Sequence, residues 1–212
     1  MKKFYVAAFA FAALATTACN NTEEKVEETA GEKVEEVVAE ELTYNLDAEA
    51  TTLNWKGSWV KDGEVMKSHN GTISVTDGML TMKGDEFVNG KFAVDMTTIQ
   101  NEDLGSDEEK AKLVGHLQAP SFFNTEAHPT TEVKVNSVSD DVMNITIMAV
   151  GEEFTKDITV NKTMSEDGST MTAESSFSVD FGTALPYTNP EDTTEGKVSS
   201  EIAFDLKLVL KK

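Results

Sequence analysis

The sequence predicts an all-β domain of antiparallel strands, closed as a barrel or stacked as a sandwich. Three observations carry that prediction. Apolar residues recur with a period of two in seven separate runs after Thr43. Clusters of turn-forming residues fall between runs. Only one segment, 106–117, breaks the alternation with a helical pattern.

Taken in order, the chain opens with a segment that is not part of this fold. Lys2 and Lys3 precede twelve apolar or aromatic residues, Phe4 to Ala15. That run is short for a bilayer span and suits the apolar region of a signal peptide over 1–18. It ends at Thr16-Thr17-Ala18-Cys19. A small residue before a lone Cys resembles the lipobox of bacterial lipoproteins, in which the Cys is acylated and becomes the first residue. Thr16 stands where a Leu is usual. Residues 20–42 hold nine Glu and two Lys, and Glu-Lys-Val-Glu-Glu occurs at 24–28 and again at 32–36. So much charge with so little apolar surface predicts a disordered acidic tether. The globular domain then spans 43–212.

Within it, Leu53, Trp55 and Trp59 alternate with Asn54, Lys56 and Ser58. Phe92, Val94 and Met96 oppose Lys91, Ala93 and Asp95. Val133 and Val135 oppose Glu132 and Lys134, and Met143, Ile145 and Ile147 oppose Asn144 and Thr146. Ile158 and Val160 oppose Asp157 and Thr159. Met171, Ala173, Ser175, Phe177, Val179 and Phe181 share one face of a long strand, and Ile202, Phe204, Leu206, Leu208 and Leu210 share another. Turns are expected at Lys61-Asp62-Gly63, Asp77-Gly78, Asn89-Gly90, Ser139-Asp140-Asp141 and Glu166-Asp167-Gly168. For the helix, near 107–117, Ser106 can cap and Asp107, Glu108 and Glu109 fill the first turn, where the helix dipole favours anions. About eight strands in 170 residues fit either closure; periodicity does not choose between them.

Composition narrows function. The chain has 38 acidic residues, 18 Lys, no Arg and a net charge of −20. Such a surface repels polyanions, which excludes nucleic acid as a partner class. One Cys forbids an internal disulfide. His69, His116 and His128 show no short metal-binding spacing, and neither a metal nor an organic cofactor is expected. No Gly-x-Ser-x-Gly elbow is present, and no nucleophile context stands out.

Five stretches together carry a resemblance. They are Ser68-His69-Asn70-Gly71-Thr72-Ile73; Gly90-Lys91-Phe92-Ala93-Val94-Asp95-Met96-Thr97-Thr98-Ile99; His116-Leu117-Gln118-Ala119-Pro120-Ser121-Phe122-Phe123-Asn124 with His128-Pro129; Phe154-Thr155-Lys156-Asp157-Ile158; and Asp180-Phe181-Gly182. In this order they resemble the YceI-like family over residues 44–212. Asn124 stands where that family has Asp, and Ser178 where many members have Arg. The resemblance implies an eight-stranded antiparallel lipocalin-like barrel that binds an apolar lipid, isoprenoid-like or acyl, without catalysis. The Ser178 substitution implies little clamping of an anionic headgroup at that position.

On that reading the cavity lining is drawn from the inward alternation, weighted to aromatics: Trp55, Phe92, Val94, Met96, Ile145, Ile147, Phe177, Phe204 and Leu206. Leu113, Leu117, Phe122 and Phe123 are expected at the mouth. His116 is expected to orient the loop or meet a headgroup. The chain would then sit at a bacterial cell envelope, held to the membrane through a lipid on Cys19. A competing expectation is a structural or stress-associated envelope lipoprotein whose barrel is simply filled.

Overall fold

The computed structural model describes residues 39–185 and 194–212. The expected signal segment, Cys19 and the tether as far as residue 38 lie outside the described residues. In chain order the elements are β1 (Glu41–Leu46), β2 (Thr52–Lys61), β3 (Glu64–Lys83), β4 (Glu86–Asn101), α1 (Asp107–Gln118), β5 (Thr130–Ser139), β6 (Val142–Ala149), β7 (Glu152–Thr159), β8 (Asn161–Met164), β9 (Thr170–Asp180), a 3-10 turn (Gly182–Ala184), β10 (Lys197–Val198) and β11 (Glu201–Lys211). Glu41 and Leu42, which composition alone assigns to the tether, pair with Lys83 and Met82 as the start of β1.

These eleven strands fill eight lanes. β1 and β2 share one lane between β3 and β11: β1 pairs with Met79–Lys83 and β2 with Glu64–Ile73. β10 and β11 follow one another along β2. β7 pairs with β6 and β8 pairs with β9, with only Val160 between them. With β7 and β8 taken as one lane, the antiparallel strands form a barrel-like ring, and among the described residues β7 and the part of β9 after Glu174 share no ladder. A turn segment at 47–51 separates β1 from β2, two residues separate β10 from β11, and Val160 alone separates β7 from β8.

The longest strands show how the bending is done. β3 has 20 residues and β4 has 16. Their pairing slips between Thr72 and Ser74, between Val75 and Asp77, and between Thr81 and Met82. Bulges of this kind bend a strand and add twist. Asp77-Gly78 and Asn89-Gly90 lie inside this pair and are not turns. Glycine serves close packing there. A Cβ on Gly78 would stand 2.1 Å from the Phe92 ring, and one on Gly90 would stand 2.8 Å from the end of Leu80. The other three expected turns are present: Asp62 (φ 52°) with Gly63 (φ 83°), Asp140 (φ 54°), and Gly168 (φ 64°).

Helix α1 starts where the sequence places it. Ser106 Oγ accepts from the Glu109 amide at 3.2 Å, a side-chain N-cap, and donates to Glu109 Oε2 at 2.8 Å. The loop after it folds back on the helix end. The amides of Phe122 and Asn124 donate to the Ala119 carbonyl, and Phe123 donates to the Leu117 carbonyl. Asn124 takes a left-handed conformation (φ 47°), which Asn tolerates better than most residues, and its carbonyl accepts from Ala127 and His128. The helix end is tied to β4 by Gln118 Nε2, which donates to the Thr97 carbonyl at 3.1 Å. We call the end of the barrel at which β4 runs into α1 the upper end.

Candidate functional site

The inner alternation of the strands builds an apolar interior. Among the described residues it holds three small voids that share walls. The upper void, about 70 Å³, is bounded by Leu53, Ile73, Val94, Met96, Phe123, Ile147, Phe177, Val179, Phe181 and Phe204. The middle one, about 80 Å³, shares Leu53, Val94, Val133, Ile147 and Phe177 with it and adds Phe92, Val135, Met143, Ile145, Ile158, Leu206 and Leu208. The lower one, about 40 Å³, shares Phe92, Met143 and Leu208 and ends against Asp140, Asp141 and Lys162. Together they trace the barrel axis.

Nine of the thirteen expected lining residues border this path: Phe92, Val94, Met96, Phe123, Ile145, Ile147, Phe177, Phe204 and Leu206. Phe177 and Phe204 face each other across β9 and β11 and stack with centroids 5.6 Å apart. Trp55, Leu113, Leu117 and Phe122 border none of the three voids. Trp55 is buried and its indole Nε1 donates to the Gln100 carbonyl at 3.0 Å. Leu117 is buried and Leu113 half-buried where the helix packs on the core. His116 is exposed in the last helical turn, where a cation suits the helix dipole. Leu53, Val133, Val135, Met143 and Val179 also border the voids, and their alternation carries the signal even though they are not among the expected lining residues.

An aromatic row closes the upper end. Phe122 meets Phe123 edge-on at 4.8 Å, Phe123 meets Phe181 at 6.0 Å, and Phe181 meets Phe154 at 5.0 Å. Phe181 is aimed there by its neighbours. Its amide donates to the Ser200 carbonyl at 3.0 Å, and Asp180 Oδ1 accepts from the Gly182 amide at 2.9 Å. The Ser200 hydroxyl and that amide hold the Asp180 carboxyl below the usual range. Ser178 lies on the outer face and donates to Glu201 on β11.

Asp95 and Asp103 are structural too. Asp95 Oδ1 accepts from the amide and hydroxyl of Thr97, at 2.9 and 2.6 Å, and so closes the kink in β4. Asp103 binds His69 Nδ1 at 2.8 Å, the Asn70 amide at 3.0 Å and Asn101 Nδ2 at 2.5 Å. Burial pushes its pKa up, but the Asn70 amide, His69 and Asn101 outweigh it and hold the carboxyl at about 2. Its folded value lies below the unfolded one, so its contribution is present above about pH 4 and fades as pH falls towards 2. With 29% of the side chain exposed, screening limits this to about 1 kcal/mol. Urea unfolding at pH 7 and pH 3 is expected to show wild type losing about 0.5 kcal/mol more than Asp103→Asn, since only about half of the contribution is gone at pH 3. Equal losses would show that another group titrates.

A larger hollow, about 560 Å³, lies outside the barrel over β3 to β7. It is open, and Lys91, Lys134, Glu132 and Glu153 rim it with both charge signs. It lacks the enclosure an apolar ligand needs. No cluster of three metal-ligating side chains occurs among the described residues.

Comparison with known proteins bears on the fold and the family. A polyisoprenoid-binding domain from Saccharophagus degradans, implicated in plant cell wall breakdown, matches with a TM-score of 0.57 and 12% identity, over 79% of this chain and 97% of that one. BcnA of Burkholderia cenocepacia matches with a TM-score of 0.55 and 14% identity, over 77% and 98%. Both are similar in fold. No curated protein sequence matches. The family model for the YceI-like domain matches residues 44–210, so this chain belongs to the YceI-like family.

Proposed function

We propose that the barrel binds or carries an apolar chain, isoprenoid-like or acyl, along its axis and without catalysis. One observation supports this most. Phe92, Val133, Met143, Phe177, Phe204 and Leu206 fall on the inner alternation of their strands yet are only half-buried. All six border the voids, where another apolar chain would cover more of them, and Phe92 and Val133 also border the outer hollow. Burial is worth about 0.8 kcal/mol per methylene, so ten carbons supply about 8 kcal/mol before ordering costs. Family membership and a structural neighbour that is a polyisoprenoid-binding domain agree with the reading.

The voids themselves favour a second reading, a filled barrel with a structural role. Even together they fall below the roughly 300–1,000 Å³ usual for ligand pockets. A long chain would have to part the Phe177–Phe204 stack. The proposal also places the protein at a bacterial cell envelope, anchored through acylated Cys19, on the strength of the sequence at 1–19.

Native mass spectrometry and organic extraction of protein purified from its own host membranes test both parts. A copurifying apolar molecule and an acylated N-terminus at Cys19 are the expected results. A barrel that yields no ligand and takes up no prenyl or acyl lipid leaves the filled-core reading. An unmodified soluble form removes the anchor.

A further inference from the structure

The barrel wall has one seam without strand pairing. β7 pairs with β6 along its whole length, whereas β9 pairs with β8 only as far as Glu174. Ser175 Oγ donates to the Thr159 carbonyl at 2.7 Å. Above that bond, β7 and the remainder of β9 share no ladder, and the Phe154–Phe181 contact spans the gap.

Lys156 stands on this seam. It pairs with Ile145, whose side chain borders the middle void, and it falls on the inner alternation between Phe154 and Ile158. A lysine in the inward register of an apolar barrel is costly unless its ammonium escapes or is paired. Lys156 is half-buried. Among the described residues the ion pairs are His69–Asp103 and Lys211–Asp47, so none involves it. The neighbouring Asp157 faces outward and accepts from Asn144 Nδ2 at 2.6 Å.

We propose that the β7–β9 seam is a headgroup port: the apolar tail lies in the barrel, and Lys156 holds an anionic end, such as a carboxylate, in the gap. This rests on the lipid-binding reading and narrows its ligand to amphipathic chains with a terminal anion. The acyl stem would pass between Phe154 and Ile158, where opening the wall breaks no ladder hydrogen bond.

The test uses the full chain and displacement of the neutral dye N-phenyl-1-naphthylamine by oleate or by oleyl alcohol, near pH 7 and at moderate salt. A charge-assisted contact predicts about tenfold tighter binding of oleate than of the alcohol. Lys156→Met is expected to abolish that preference while leaving alcohol affinity within about twofold, and Lys156→Arg to retain most of it. Acetate at the same concentration should displace nothing. Equal affinities in wild type, a preference that survives Lys156→Met, or competition by acetate alone overturns the port and leaves the lipid-binding reading intact. If dye, acid and alcohol all fail to bind, both fall together. A thermal midpoint for each variant checks that the barrel still folds.

Discussion

Replacing Gly71 with alanine is expected to destabilise the domain by about 3 kcal/mol or more, at the upper end of overpacking effects. For a domain of this size that is a fall of roughly 6–12 °C in Tm. The cause lies in the kink of β4. Between the pairs Thr72–Gln100 and Ser74–Asp95, β4 places four residues against the single Ile73. The kink turns the Gln100 carbonyl onto the glycine. A Cβ on Gly71 would lie 1.8 Å from that oxygen and 2.7 Å from its carbon. Backbone cannot yield as a side chain can. The same carbonyl accepts from the Trp55 indole, so moving it also costs a partly buried hydrogen bond. Gly90→Ala is the control. Its nearest atoms belong to the Leu80 and Val135 side chains, and a smaller loss of about 1–2 kcal/mol is expected. Equal losses at both positions, measured by urea unfolding, would show that the carbonyl contact is not what demands glycine.

Phe177 is expected to give the largest change in ligand binding, with opposite signs for opposite changes in size. It borders both the upper and middle voids. Phe177→Trp would fill the place where they meet and is expected to weaken binding of an apolar dye at least tenfold, at a stability cost of about 1–3 kcal/mol. Phe177→Ala would join the two voids and remove the stack on Phe204. The empty protein should then lose about 3–5 kcal/mol. A ligand present at a hundred times its Kd should return about 2.7 kcal/mol of that. In a barrel that is only a packed core, both variants lose stability and no apolar compound restores it. Thermal melts with and without dye separate the two cases.

The strand faces were legible because alternation in an antiparallel barrel separates inside from outside. Phe177, Val179, Phe204 and Leu206 fall on the inner face that their spacing predicts. Height along the axis was not legible. Trp55 obeys the same alternation as Leu53, yet only Leu53 borders the voids, because the Gln100 carbonyl holds the indole elsewhere. Asp77-Gly78 and Asn89-Gly90 read as turns because the local signal of glycine is the same whether it turns the chain or admits a neighbour's side chain. The divided lanes were hidden for a related reason. Nothing local at Val160 announces that the strand before it pairs with β6 and the strand after it with β9. Lys156 lies in one of the family-like stretches, but a lysine in a strand ordinarily reads as solvent-facing, so its inward register is visible only in the structure.

The position of β11 in the ring has a consequence for time rather than for shape. Residues 201–211 lie between β9 and the β1/β2 lane, so the ring needs both its earliest and its latest described strands. During synthesis no closed domain can exist until residues 201–211 are available. Pairings so distant in sequence are slow to find, which places such chains among the slower folders. The nascent domain therefore stays open, with unsatisfied edges, until β11 emerges. A C-terminal truncation that removes β11 is predicted to leave those edges exposed and to aggregate.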